Sequence, residues 1–263
     1  MTRLLSLRAG AAVAIALTAV AAHAGRDCDS KPLTTDTLDR GLQLAQRTAR
    51  YLDSTGARVA VLARAGQDLS RYGLRYSHLG FAYRETGSGV WRVVHKLNHC
   101  DSAQADLYRQ GLGQFFLDDL HRYEAGVVLL APALQERLLP LLQDPSQLAR
   151  LHTPAYNMLA YPWSGRYQQS NQWAIETLAF AADTGADSRE RAQAWLRLKD
   201  YRPTQLRLGT FTRLGARATR ANIAFDDHPG SQRYSGRIET VTVDSVFEWL
   251  PRAGLGTRVA TVD

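Results

Sequence analysis

The stretch from Tyr156 to Ala182 constrains the fold more than any other part of this chain. Its first half is aromatic and irregular, with Pro162 and Gly165 excluding a long helix. Its second half sets Ile175, Leu178, Ala179 and Ala182 at the spacing of a buried helical stripe. Ser170 stands where the halves meet, so its hydroxyl falls at the start of a helix, among free backbone N–H groups and near the positive end of the helix dipole. Such a place suits a nucleophile. It is also the commonest place for a serine with no chemistry at all, because serine is a preferred N-cap, and position and type alone favour that cap.

The N-terminus reads as a secretory signal peptide, residues 1–24. Arg3 and Arg8 precede the apolar run Ala11 to Ala22, and Ala22-His23-Ala24 fits a small-residue cleavage site. The run is too short for a spanning helix, and no later segment approaches the length a bilayer requires. The expectation is an exported protein of the periplasm, without a lipid anchor, because Gly25-Arg26-Asp27 precedes Cys28 in place of a lipoprotein context. Residues 25–263 are long enough for one sizeable core and are read as a single domain, 25–200 as its main body and 201–263 as a β-rich extension.

Removing Arg3 and Arg8 from 32 Lys+Arg leaves an excess of five over 25 Asp+Glu. The excess carries no basic runs interleaved with aromatics, which argues against nucleic acid as a partner. Cys28 and Cys100 in an oxidising compartment are expected to form a disulfide, closing a loop of about seventy residues worth roughly 4 kcal/mol in the chain-entropy account. With no Cys-x-x-Cys, a cysteine zinc site is excluded, and neither a metal nor a cofactor is expected.

Along the chain, Leu38, Leu42, Ala45, Ala49 and Leu52 predict a helix from Thr35 to Leu52, ended by Gly56. Strands are predicted at Arg58 to Ala63, Tyr76 to Tyr83 and Val90 to Leu97, the last two forming an antiparallel hairpin. Ser102 to Tyr123 reads as helical in its later part, Gly126 to Ala131 as a buried strand, and Pro132 as the start of a helix that Pro140 should kink or shorten. A helix follows at Ser188 to Lys199. Strand-like alternation returns at Gln205 to Arg213, Ala221 to Phe225 and Arg237 to Val243, and Ser245-Val-Phe-Glu248 is a capping-box pattern for a short last helix. The order of elements is that of an α+β fold.

Histidine is the side chain most easily tuned for proton transfer near neutrality. His78 alternates with Tyr76 and Gly80 along its strand, and His95 holds a similar place on the next. With Ser170 they could supply a base, an orienting group and a nucleophile, or the two could be partly exposed sheet histidines. Phe225-Asp226-Asp227-His228-Pro229-Gly230 offers two carboxylates and an imidazole beside a turn. Consecutive side chains in an extended segment point apart, so a structural turn is expected there over a metal or acid/base site.

Ser77-His78-Leu79-Gly80-Phe81-Ala82, followed by a turn, a second strand and later Tyr167-Gln-Gln-Ser170-Asn-Gln-Trp-Ala-Ile-Glu176, resembles the permuted NlpC-type branch of the papain-like hydrolases. In that branch the histidine strand precedes a helix that begins with the nucleophilic cysteine. Ala65-Gly-Gln-Asp-Leu-Ser70, Tyr76-Ser-His-Leu-Gly-Phe-Ala-Tyr83, Gln168-Gln-Ser-Asn-Gln-Trp173 and Ala224-Phe-Asp-Asp-His-Pro229 also resemble a bacterial family known as domain of unknown function 2145, over nearly the whole mature chain. The first resemblance implies an antiparallel sheet packed on helices, with His78 as base, His95 as the residue orienting it, and Ser170 where the family has cysteine. It also implies a substrate-binding approach through Tyr76, Tyr161, Trp163 and Tyr167. A serine there needs a correctly placed base and an oxyanion hole. Two functions follow as expectations: an amidase or esterase acting on envelope material, or a non-catalytic envelope protein that holds a peptide, glycan or acyl chain.

Overall fold

The computed structural model describes residues 32–263. The predicted leader and Cys28, the expected partner of Cys100, lie outside the described residues.

Helix α1 (Thr35–Thr55) opens the described chain. The Thr34 and Thr37 side chains each accept the other's backbone N–H, and Gly56 at φ 68° closes the far end in the left-handed conformation that favours glycine. Strands β1 (Val59–Ala65), β2 (His78–Arg84), β3 (Trp91–Asn98) and β4 (Ala105–Gly111) follow. Next come α2 (Leu112–Phe116), β5 (Arg122–Leu129), α3 (Pro132–Gln143) and α4 (Pro145–Ala149). The long irregular stretch leads into α5 (Ser170–Ala182) and α6 (Arg189–Leu198). The chain ends with β6 (Thr204–Arg207), α7 (Thr210–Thr219), α8 (Gly230–Ser235), β7 (Arg237–Thr240), α9 (Val243–Arg252) and β8 (Ala260–Val262).

The main sheet is antiparallel with strand order β4-β3-β2-β1-β5-β8. Both faces are covered. Alternation along β1 sends Val59, Val61, Ala63 and Ala65 to one side, where they meet α3, α5 and α9 through Leu138, Trp173, Leu178 and Trp249. Ala60 and Leu62 go to the other side and meet α1 and α2 through Leu44, Leu52, Phe115 and Phe116. A strand buried on both faces carries no polar alternation, which is why β1 reads as a continuous apolar run. β6 and β7 form a separate two-stranded ribbon. With Leu206, Leu208, Ala216, Ile223, Phe225 and Ile238 it makes a small second core, packed on Tyr72, Leu74, Met158 and Leu159.

The α+β class and the β2–β3 hairpin are those expected from sequence. Four details go beyond or differ from the sequence reading. Ala105 to Gly111, ahead of the helical later part of its segment, is a strand, because it completes the edge of the sheet beside β3. Of the predicted strand Gln205 to Arg213 only residues 205–207 lie in a strand, as the end of β6. From Thr210 the chain enters α7, which contributes Ala216 to the small core. Ala221 to Phe225 is irregular, held by an Asn157 side chain that donates to Ala224 O at 3.0 Å and accepts from Ala224 N at 3.1 Å. The last helix begins earlier than predicted: Thr242 is its cap and Ser245 the reciprocal third residue.

Candidate functional site

β2 carries the centre of the candidate site. Its ladder with β3 runs from Arg84↔Trp91 to Phe81↔Val94 and stops before Gly80. At Gly80 the strands are too close for a side chain: a Cβ there would lie 2.7 Å from Val94 O and 2.8 Å from the His95 Cβ. Glycine therefore lets the His95 ring fold across to β2, where His95 Nδ1 lies 2.8 Å from His78 Nε2. On its other side, His95 Nε2 lies 2.9 Å from Gln110 Oε1 on β4. A carbonyl oxygen only accepts, so the bonding pattern assigns the proton of His95 to Nε2. His95 Nδ1 then accepts from His78 Nε2–H, and Nδ1 of His78 keeps its lone pair.

The surroundings favour neutral imidazoles. Phe115 packs on both rings, at centroid distances of 6.1 Å from His78 and 5.2 Å from His95. Arg64, one strand over, donates to Phe115 O, pairs with Asp118 and lies over the Phe115 ring. Burial pushes His95 down to about 3, and the Arg64 guanidinium adds repulsion. His78 is likewise lowered well below the usual imidazole range, first by burial and then by Arg64 and His95.

Ser170 is elsewhere. Leu79 and Phe81 face α5, with Phe81 against Trp173 at 5.9 Å, whereas His78 alternates to the α2 side. Asn171 of α5 accepts the Leu79 N–H at 3.2 Å, satisfying a backbone group that the interrupted ladder leaves open. Ser170 is buried and is the first residue of the helix after the cap Gln169. Burial raises the Tyr156 hydroxyl nearby, and Ser170 offsets part of that rise. Among the described residues it makes no hydrogen bond to His78 or His95. The structure thus joins the two histidines to each other and leaves Ser170 outside that pair.

The aromatic positions also divide. Tyr76 is 3% exposed and packs on Phe247 and Gly126, on the opposite face from His78, so it presents no ligand surface. It precedes β2, and the alternation with His78 expected from sequence does not extend to it. Trp163 is half-buried between Arg197, at 4.5 Å, and Tyr201, at 6.2 Å. Tyr161 lies against His228, and Tyr167 against Arg166.

Asp227 and His228 form a turn anchor. Asp227 accepts the Tyr161 N–H at 2.8 Å and lies 3.0 Å from His228 Nδ1, while His228 Nε2 donates to Glu239 O at 3.0 Å. Asp226 pairs with Arg166 at 2.8 Å. Tyr161 and Arg166 thereby tie the segment before Ser170 to this turn, and His228 ties the turn to β7.

Sequence reasoning missed a buried charged network on the α5 side of β3. Glu176, in the apolar helix, accepts from Gln168, from Arg189 at 2.9 Å and from Gln193 at 2.8 Å. Arg189 also donates to the carbonyls of Ser164, Gly165 and Tyr167. Lys96, fully buried, donates to Thr153 O at 2.6 Å and Gln168 Oε1 at 2.8 Å, and burial lowers its ammonium to about 7. The available signal was a lysine in step with Val94 on a buried strand and a glutamate within an apolar stripe. No group of three His, Cys, Asp or Glu side chains is arranged to hold a metal among the described residues.

Fold and site together define an α+β protein whose antiparallel sheet is buried on both faces and carries a paired-histidine centre on one of them. The family described as "Uncharacterized protein conserved in bacteria (DUF2145)" matches residues 51–250, and the chain belongs to that family. Comparisons with curated proteins and with solved structures return no match. Among the described residues no helix is long and apolar enough to cross a membrane.

Proposed function

We propose that this is an exported envelope protein of the periplasm that acts by binding, on a papain-like scaffold whose nucleophile and base have come apart. The observation that carries this reading is the pairing of the histidines: Nε2 of His78 is engaged by His95, and among the described residues Ser170 makes no hydrogen bond to either ring. A serine without a base in hydrogen-bond reach is a poor nucleophile. The half-buried Tyr161, Trp163 and Tyr167 remain as the surface for a peptide, glycan or acyl chain, and the buried Glu176–Arg189 network holds the segment that carries them.

The test compares the mature protein with its Ser170→Ala and His78→Gln variants on p-nitrophenyl acyl esters and N-acyl amino-acid amides. The binding reading expects all three to match the buffer blank. Hydrolysis by the unmodified protein that drops by orders of magnitude in Ser170→Ala would overturn it.

One observation favours a hydrolase as the second reading. The relay from Gln110 through His95 orients His78 with a free lone pair on Nδ1, as a general base requires. Activity lost in His78→Gln but kept in Ser170→Ala would support a base acting without that serine.

A further inference from the structure

The C-terminal lobe holds a second feature, far less visible in sequence. Between Tyr201 and Ala224 there are five arginines and no Asp or Glu. The two acids that follow are already engaged, Asp226 by Arg166 and Asp227 by His228. On this lobe a depression of about 120 Å³ is lined by Thr210, Arg213, Leu214, Arg217, Phe225, Arg233 and Tyr234. All its charged groups are cationic. Arg213 and Arg217 are one turn apart on α7, an arrangement of like charges that destabilises a helix. Arg213 lies over the Phe225 ring at 5.0 Å, and its Nε is buried without a hydrogen-bond acceptor. Neither Arg217 nor Arg233 makes an ion pair with any acid among the described residues.

The rim of this depression is apolar and exposed. Leu214 is 62% exposed and Tyr234 85%, and they lie beside the arginines. Exposed leucine and tyrosine next to unpaired arginines is the composition of a surface that meets both a headgroup and the acyl boundary beneath it. Three guanidinium groups around a shallow hollow suit a phosphoryl group, to which each can donate charge-assisted hydrogen bonds.

We propose that Arg213, Arg217 and Arg233 bind the phosphate of an anionic lipid headgroup at a membrane surface, with Leu214 and Tyr234 entering the interface. This goes beyond the function proposed above and is independent of whether the chain catalyses a reaction. It places α7 and α8 against the bilayer as a peripheral attachment.

The experiment is co-sedimentation of the full mature chain with vesicles of phosphatidylcholine alone and of phosphatidylcholine mixed with phosphatidylglycerol. Binding should require phosphatidylglycerol and weaken as salt rises. Arg217→Gln and Arg233→Gln should each lower partitioning about fivefold, the equivalent of about 1 kcal/mol per arginine near an anionic surface. Arg252→Gln is the matched control: it removes the same charge from the last helix, where Arg252 lies 3.9 Å from Asp200, and should leave binding unchanged. Leu214→Ser should weaken vesicle binding while leaving the thermal midpoint in place. Equal losses in Arg217→Gln and Arg252→Gln would reduce the effect to net charge and overturn the site. Binding to phosphatidylcholine alone, or protection of the arginines by inorganic phosphate without vesicle binding, would overturn the lipid assignment.

Discussion

His78 Nε2 and His95 Nδ1 face each other at 2.8 Å just beyond the end of the β2–β3 ladder. Two imidazoles so close cannot both be charged at little cost, and both are held below their ordinary range. In the unfolded chain they titrate near 6.5.

That difference makes stability depend on pH with a definite sign. The folded-state values lie below the unfolded ones, so below about pH 6.5 the unfolded chain binds more protons. The contribution is complete above that pH and is lost as pH falls toward about 3 for His95, by about 1.4 kcal/mol per unit while the group stays uncharged. Urea midpoints measured from neutral to mildly acidic pH should decline, and His95→Gln should flatten the decline. An unchanged slope in that variant would show that His95 is not the group being protonated.

Gly80→Ala should destabilise the protein by about 1 to 3 kcal/mol, since the new methyl meets backbone at Val94 and the root of the His95 side chain. The imidazole resonances of both histidines should shift together, because relieving the contact moves β3 away from β2. A shift confined to one ring would contradict the shared geometry.

Glu176→Gln leaves Arg189 buried without its carboxylate and should cost about 3 to 5 kcal/mol by chemical denaturation. Replacing both residues with apolar ones of similar size should recover much of this loss, because no uncompensated charge then remains. The loosened carbonyls of Ser164 and Tyr167 should appear as faster amide exchange in the 164–167 segment.

Some of this architecture follows from local pattern. The stripe Ile175, Leu178, Ala179, Ala182 defines α5, the alternation around the Thr86–Gly89 turn defines the β2–β3 hairpin, and Thr35 to Leu52 defines most of α1. These depend on residues three, four or two positions apart, which physical periodicity makes visible. β4 and β8 escaped because an edge strand is specified by its neighbour: polar Asp106, Arg109 and Gln110 become a strand only because β3 offers a ladder. α7 escaped for the same reason, its apolar face being defined by the small core beneath it.

The sequence by itself determined the α+β class, the helix that Ser170 opens, and the pairing of the two strands that carry His78 and His95. Tertiary structure decided which side chains meet. Strand alternation fixes that neighbours such as His78 and Leu79 point apart, but not which layer covers each face. Packing placed α2 over the histidines and α5 over Leu79 and Phe81, which left Ser170 outside the histidine pair. It also gathered Lys96, Glu176 and Arg189, separated along the chain, into one buried network, since charges removed from water persist only where other parts of the fold supply their partners.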